Sequence, residues 1–191
     1  MIDKKRVFKV IFAMLAVLLV TLPFVTTFNS VLTAVINRIG LYRAAQEAIV
    51  PFESRLVIAL VRLLGIPAFL AGTGEKASFY LLKGQEYLPV QLQWNCLGWQ
   101  SLLLLGISLG IGLQGNFTRL SILECILIGF LGTFLTNILR MAFITLGIYY
   151  VNTVFAFLIH DYFAAFTTII WLFFFWWFSY SFVLEMKEQG S

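Results

Sequence analysis

Three side chains of reactive types, Cys96, Arg140 and His160, are spread over the second half of the chain. A cysteine thiolate is a strong nucleophile, a guanidinium is a permanently charged hydrogen-bond donor, and an imidazole exchanges a proton near neutral pH. Cys96 lies in the stretch QWNCLGWQSLLLLG, where a polar segment passes into a long apolar run. If that run is a helix, its unpaired amide groups and its dipole favour a thiolate at its start. The three residue types could therefore perform nucleophilic catalysis, provided that the fold brings them together.

Each reactive residue also has a purely structural interpretation, which the sequence leaves open. A cysteine is often a small buried hydrophobe, an arginine near a helix end often extends to the membrane interface, and a lone histidine often caps a helix. Asn137 lies one turn before Arg140 on the same helix face, so we expect it to support the site. Asn95, directly before Cys96, is the second supporting candidate. Cys125 lies in the middle of an apolar stretch, and we interpret it as structural.

Composition indicates which kind of fold positions these residues. Hydrophobic residues make up 61% of the 191-residue chain, aromatic residues 17% and charged residues 12%, and the mean hydropathy is +0.94. Such a composition is typical of integral membrane proteins and excludes an ordinary soluble domain. One helical crossing needs about 20 apolar residues, so the chain is predicted to form an all-α polytopic bundle of about five to seven membrane helices. Residues 1–191 would form a single membrane domain.

The first half of the chain is predicted to contain one span and a small extracytoplasmic β-hairpin. The span covers residues 7–28 and follows a basic cluster, which the positive-inside rule assigns to the cytoplasm. A cleaved signal peptide is the alternative for this segment. Residues 29–71 carry arginines among spaced apolar residues and predict amphipathic or membrane-embedded helices. Within residues 72–95, two short runs, Ala77–Leu82 and Tyr87–Gln93, predict the hairpin.

Residues 97–184 carry very few ionisable side chains and predict the span bundle that holds the site. One crossing follows Cys96 and ends at the loop QGNFTR, in which Asn116 and Thr118 are candidate helix caps. A return crossing then ends at Arg140. These two crossings would bring Arg140 back to the membrane face that holds Cys96.

The rest of this bundle decides where the histidine lies. Residues 141–159 contain Gly147 and Asn152 and are predicted to bend or to lie at the interface rather than to cross. The last span is predicted at residues 162–184. Counted from a cytoplasmic N-terminus, these crossings place His160 at the outer membrane face, together with Cys96 and Arg140.

Short motifs around these residues resemble those of one known family. NCLGW precedes a span, NILR ends a later span, the single histidine begins the last aromatic-rich span, and LVRLLGIPAF precedes the predicted hairpin. In this order and spacing, over roughly residues 50–180, the chain resembles the exosortase/archaeosortase family, with its Cys, Asn-x-x-Arg, His sequence. Members of that family are polytopic membrane cysteine proteases or transpeptidases that act on exported proteins.

The resemblance implies a role for each reactive residue, with Cys96 as the nucleophile and Arg140 and His160 completing the site. Cleavage of an amide needs a nucleophile, a donor for the tetrahedral oxyanion and a proton for the leaving amine. Arg140 suits the second task and His160 the third. The resulting thioester would pass to water or to an acceptor amine or hydroxyl. Asp161 follows His160 directly, which points its side chain elsewhere on a helix.

The resemblance also implies a location and partners. The site would face outward from the cytoplasmic membrane, surrounded by membrane lipid. Its substrates would be exported proteins whose C-terminal tail has a short signature, a transmembrane helix and a basic cluster. No cofactor, metal or nucleic acid is expected, because one histidine and two cysteines at different bilayer levels do not make a metal site, and no phosphate-binding glycine loop is present. The same separation argues against a disulfide between Cys96 and Cys125.

Two other functions remain open from the residues alone. A membrane acyltransferase could use Cys96 as an acyl relay, and an adduct that carries lipid rather than peptide would favour it. A non-catalytic membrane subunit or transporter component could use Arg140 and His160 to line a packed polar interface. An unreactive Cys96 would favour this second alternative.

Overall fold

The structure, a computed structural model, describes residues 45–72 and 77–187, together with the isolated helical positions Ala34 and Arg38. The predicted first span, residues 7–28, and the basic cluster before it lie outside the described residues. All the elements described below belong to one compact unit, Ala44–Ser191.

Helix α1, Val50–Leu63, is amphipathic and follows one π-helical turn, Ala45–Ile49. Pro51 lies in its first turn, where the fixed φ of proline suits a helix. The helix ends where Gly65 adopts a φ of +82°, a backbone conformation that glycine accommodates without strain. The buried residues recur every three or four positions and so form one face: Val50, Glu53, Ser54, Val57, Ile58 and Val61.

A three-stranded antiparallel sheet follows α1, and it contains the predicted hairpin. Strands β2, Phe79–Lys83, and β3, Glu86–Val90, pair in the register Phe79↔Val90, which confirms the hairpin itself. Gly84 begins their two-residue turn with a φ of +66°, as the tight turns that match the twist of a hairpin require.

The third strand of the sheet was not predicted. Strand β1, Ala68–Leu70, pairs with β2 in the register Ala68↔Leu81, so these residues do not belong to the helices predicted for residues 29–71. Pro67 comes directly before the strand, and a proline favours extended backbone at the residue that precedes it. The fully buried side chains of Phe79 and Leu81 then pack into the same core cluster as the apolar face of α1.

Three helices form the second half of the described chain: α2, Trp99–Gly112, α3, Arg119–Tyr150, and α4, Thr153–Phe178. Of the two candidate caps of α3, Thr118 is the one that caps the helix, because its hydroxyl accepts a hydrogen bond from the Ser121 amide at 3.3 Å. A π-helical turn, Ser179–Val183, continues α4.

The prediction of five to seven membrane helices is wrong for the described part of the chain. That part has four α-helices, and two segments in it are long and apolar enough to cross a membrane: Arg119–Tyr150, which is α3, and Phe163–Val183, which joins the end of α4 to the π-helical turn after it. Helix α2, with 14 residues, rises only about 21 Å, short of a hydrocarbon core of about 30 Å. Apolar composition misled the prediction because it does not reveal where a helix breaks. By length and composition alone, two such segments are a weak indication of membrane association.

Helices α2, α3 and α4 pack side by side, and neighbours in the chain run antiparallel. Phe143 stacks on Phe163 at 4.6 Å between ring centroids, and Trp171 donates a hydrogen bond to Thr133 at 2.8 Å. At the far end of α4, residues after the π-helical turn form an isolated β-bridge, Phe117↔Met186, beside the start of α3.

Candidate active site

Cys96 lies in a single 3-10 turn, Trp94–Leu97, between the sheet and α2 rather than in the first turn of the α-helix. Gly98 ends the turn with a φ of +69°, and α2 begins at the next residue. A Cβ atom on Gly98 would lie 2.7 Å from the side-chain Cγ of Asn137. Glycine is therefore required here both by the backbone conformation and by the close approach to α3.

The Cys96 thiol faces His160 of α4. Its Sγ lies 3.6 Å from His160 Nε2, and which of the two atoms donates depends on the histidine tautomer. Burial alone would raise the pKa of the Cys96 thiol. Hydrogen bonds with His160 and with the backbone at Gln93, together with the charges of His160 and Arg140, outweigh burial and leave that pKa below its ordinary value.

Arg140, from the middle of α3, holds the other side of the same turn. It is only 5% exposed, and its Nη2 donates a hydrogen bond to the carbonyl oxygen of Cys96 at 3.0 Å. A hydrogen bond from a charged donor is stronger than one between neutral groups. The turn that presents the thiol is therefore tied to α3 by a permanent positive charge.

Glu53 of α1 is the site residue that sequence analysis missed. It is 1% exposed, and its Oε2 accepts a hydrogen bond from Asn137 Nδ2 at 3.4 Å. Burial raises the pKa of Glu53 to about 7, although the charge of Arg140 and the bond from Asn137 pull it down. In the sequence, Glu53 has the appearance of an ordinary acidic residue in the first turn of a helix. The missed signal was its place between Val50 and Val57 on the apolar face of α1.

Asn137 links Glu53 to a small polar pocket between α2, α3 and α4. It is 5% exposed, and its Oδ1 has no hydrogen-bond partner within the described part of the chain. The pocket encloses about 210 Å³, including space open to solvent. Its lining is rich in hydroxyl groups: Ser101, Thr133, Thr136, Asn137, Arg140, Thr167, Thr168 and Trp171.

The structure brings four of the five predicted site residues together: Cys96, Arg140, His160 and Asn137. The side chain of Asn95, the fifth, lies outside the described residues, as does that of Asp161. Cys125 lies elsewhere, fully buried mainly among apolar side chains with the side chain of Ser179 near its thiol, and both cysteines are free thiols.

The assembled groups comprise a thiol with a lowered pKa, an imidazole beside it and a buried guanidinium. Such a set can form a covalent bond to an electrophilic carbon and move one proton while doing so. Among the described residues, no group of three or more His, Cys, Asp and Glu side chains could hold a metal ion. Comparisons with models of protein families, with curated proteins and with solved structures find no match for the chain.

Proposed function

We propose that the protein is a membrane cysteine peptidase or transpeptidase, similar to exosortases and archaeosortases, that cleaves the C-terminal sorting tail of exported proteins. The observation that carries the proposal is the distance of 3.6 Å between Cys96 Sγ and His160 Nε2, at a turn that Arg140 binds. These residues come from three separate elements, and their meeting supplies the nucleophile, the proton carrier and the cation that amide cleavage needs.

The reaction begins with transfer of the thiol proton from Cys96 to His160 Nε2. The thiolate attacks the carbonyl carbon of the scissile amide, a C–S bond forms, and the oxyanion is stabilised by the guanidinium of Arg140. His160 then protonates the amide nitrogen as the C–N bond breaks, which releases the amine and leaves a thioester on Cys96. Water, or an acceptor amine or hydroxyl, attacks the thioester and frees the thiol.

The length of α3 supports a site at a membrane surface. Between Arg119 and Arg140 the helix rises by about 32 Å, close to the thickness of a hydrocarbon core of about 30 Å. With these two arginines at opposite surfaces, Cys96 and His160 lie at the surface that holds Arg140. We assign this surface to the outside of the cytoplasmic membrane, with the N-terminus inside. The site then meets exported proteins whose tail has a signature, a transmembrane helix and a basic end.

The test is to trap the thioester. The full chain, purified into lipid nanodiscs, is incubated with synthetic peptides that join a short polar segment, an apolar helix of about 20 residues and a basic end. Intact-mass spectrometry is expected to find a peptide acyl group on the protein, removable by hydroxylamine and absent from Cys96→Ala. Cys125→Ala, the matched control, is expected to keep the adduct. A lipid acyl group on Cys96 would instead indicate an acyltransferase, and an adduct-free protein would favour a non-catalytic subunit.

A further inference from the structure

Glu53 is a buried carboxyl group on which the charge of Arg140 acts, and the proposed reaction does not use it. A side chain of this kind is almost never fully buried unless it is paired, because leaving water costs a charge several kcal/mol. Glu53 is 1% exposed, and α3 supplies both groups that act on its carboxyl, the amide of Asn137 and the charge of Arg140.

The three buried side chains connect α1 to the reactive thiol. Glu53 accepts from Asn137 at 3.4 Å, Asn137 packs against the backbone of Gly98, and Arg140 donates to the carbonyl of Cys96 at 3.0 Å. Glu53 comes 43 positions before the cysteine, from an element that carries no other proposed site residue. A carboxyl group of α1 is thus linked, through Asn137 and Arg140 of α3, to the turn that holds the Cys96 thiol.

We infer that Glu53 is a positioning residue that, with Asn137, holds the guanidinium of Arg140 in place and offsets part of its positive charge at the Cys96 thiol. The inference rests on the proposed function in that it takes Cys96 and Arg140 to be the nucleophile and the cation of one site. The proposed reaction uses no residue of α1, whereas this inference makes Glu53 of α1 one of the residues that control the reactivity of Cys96.

The sign of the effect follows from the charges around the carboxyl. The charge of Arg140 acts on Glu53, and the same guanidinium donates to the carbonyl of Cys96, whose thiol contacts His160. Arg55, the nearest charged neighbour of Glu53 in the sequence, is exposed. An ionised Glu53 opposes the stabilisation that Arg140 gives to a thiolate. Removing the negative charge while keeping the shape should therefore make the thiolate easier to form.

The experiment measures how fast N-ethylmaleimide alkylates Cys96 between pH 6 and 9, in a Cys125→Ala background that leaves one thiol. Glu53→Gln keeps an oxygen for the Asn137 amide but carries no charge. It is expected to shift the alkylation profile to lower pH and to raise the rate at pH 7.5 by about threefold, as charges interacting through partly screened protein would. Glu47→Gln, at an exposed position six residues earlier, is the matched control and should leave the profile in place.

A Glu53→Gln profile that coincides with that of the control overturns the inference. Glu53→Asp separates charge from packing, because it keeps the carboxylate and shortens the side chain. We expect the alkylation profile of Glu53→Asp to coincide with that of the starting protein. A shift equal to that of Glu53→Gln would assign the effect to packing and would also overturn the inference.

Thermal unfolding supplies a second test that does not need the single Glu53→Gln variant to fold well. Arg140→Gln leaves the carboxyl without its counter-charge, whereas the double variant Arg140→Gln, Glu53→Gln buries two neutral amides. The double variant is expected to unfold at a temperature no lower than that of Arg140→Gln alone. A double variant that unfolds at a lower temperature than Arg140→Gln alone would contradict a charge relationship between these residues.

Alkylation needs no peptide substrate, so the inference and the proposed function can fail separately. If Glu53→Gln shifts the alkylation profile but the protein never forms a peptide thioester, the inference about Glu53 is supported and the proposed peptidase function is refuted. If the peptide thioester forms but the alkylation profile of Glu53→Gln is unshifted, the proposed function is supported and the inference about Glu53 is refuted.

Discussion

The two cysteines of this protein lie in neighbourhoods that differ in almost every physical respect. Cys125 is 0% exposed and packs with Leu105, Phe175 and Val183, whose side chains are all apolar. Cys96 is half-buried at a turn between elements, with His160 on one side and a bond from Arg140 to its carbonyl.

This difference teaches that reactivity is assigned by neighbours rather than by residue type. A thiol packed mainly among apolar side chains is a small hydrophobe, and the one polar group that acts on Cys125 is the neutral side chain of Ser179. A thiol beside an imidazole and a guanidinium has the opposite environment, and the pKa of Cys96 is accordingly below its ordinary value. The structure also concentrates the buried polar residues Glu53 and Asn137 in the neighbourhood of Cys96.

The largest expected effect comes from exchanging each cysteine for alanine. Cys96→Ala should lower the rate of the proposed peptide cleavage by about a thousandfold or more, because it removes the proposed nucleophile. Cys125→Ala should leave that rate within about twofold and lower the free energy of unfolding by about 1 kcal/mol, since it leaves a small cavity. Cleavage assays and thermal unfolding of the purified variants measure both. Equal losses of activity in the two variants would contradict the assignment of a reactive role to Cys96 and a structural role to Cys125.

Replacing the imidazole should make Cys96 behave more like an ordinary thiol. His160→Ala removes a hydrogen bond and a charge that both lower the pKa of Cys96, so that pKa should rise. Cleavage should slow by about a hundredfold, the usual scale for loss of a general acid or base. Alkylation of Cys96 at pH 7 should slow as well. An unchanged alkylation profile would show that the contact with His160 does not activate the thiol.

Stability should depend on pH through Glu53. The pKa of this residue is raised from 4.5 to about 7 on folding, so the folded chain keeps a proton that the unfolded chain has lost. The stabilisation is fully present below about pH 4.5 and is lost as pH rises through about 7, by about 3 kcal/mol in all. Thermal unfolding from pH 4 to 8 should show this loss in the starting protein relative to Glu53→Gln. Parallel curves for the two proteins would mean that Glu53 does not titrate as its burial requires.

The smallest expected effect compares one glycine from each neighbourhood. Gly98→Ala meets both a φ of +69° and Asn137 atoms at 2.7 Å, so it should cost about 2 kcal/mol and also slow alkylation of Cys96 by displacing Asn137. Gly129→Ala places a Cβ 3.0 Å from the Phe175 ring near Cys125. Its cost is partly offset by better helix propensity, about 1 kcal/mol, and alkylation of Cys96 should not change. Unfolding and alkylation are measured on both variants, and a Gly129→Ala variant that also slowed alkylation would show that the two neighbourhoods are coupled.

Much of the local structure could be predicted from the sequence, because local backbone chemistry decides it. The turn at Gly84 and the alternating residues around it predicted the hairpin, and the hydroxyl of Thr118 predicted a helix start. The residue types at Cys96, Arg140 and His160 identified a possible site before any distance was known. The sequence predicted that these residues meet from a count of helix crossings, and the structure shows that this count is wrong.

The number of helices could not be predicted, because apolar composition does not show where a helix stops. Helix α3 continues past Arg140 to Tyr150, although the sequence was interpreted as ending a span at the arginine. Helix α2 ends after 14 residues, too few for a full crossing, and residues 68–70 form a strand by pairing with β2. Each of these outcomes depends on packing partners that are distant in the sequence.

The sequence by itself determined that the chain is strongly apolar, that it has one histidine and two cysteines, and that a hairpin leads toward the first cysteine. Only the tertiary structure decided which cysteine has charged neighbours, and that Glu53, 84 positions before Asn137, joins them. The physical reason is that hydrogen bonding and helix propensity act over a few residues of the chain. The pKa of a thiol or a carboxyl depends instead on burial and on charges that folding brings within a few ångströms.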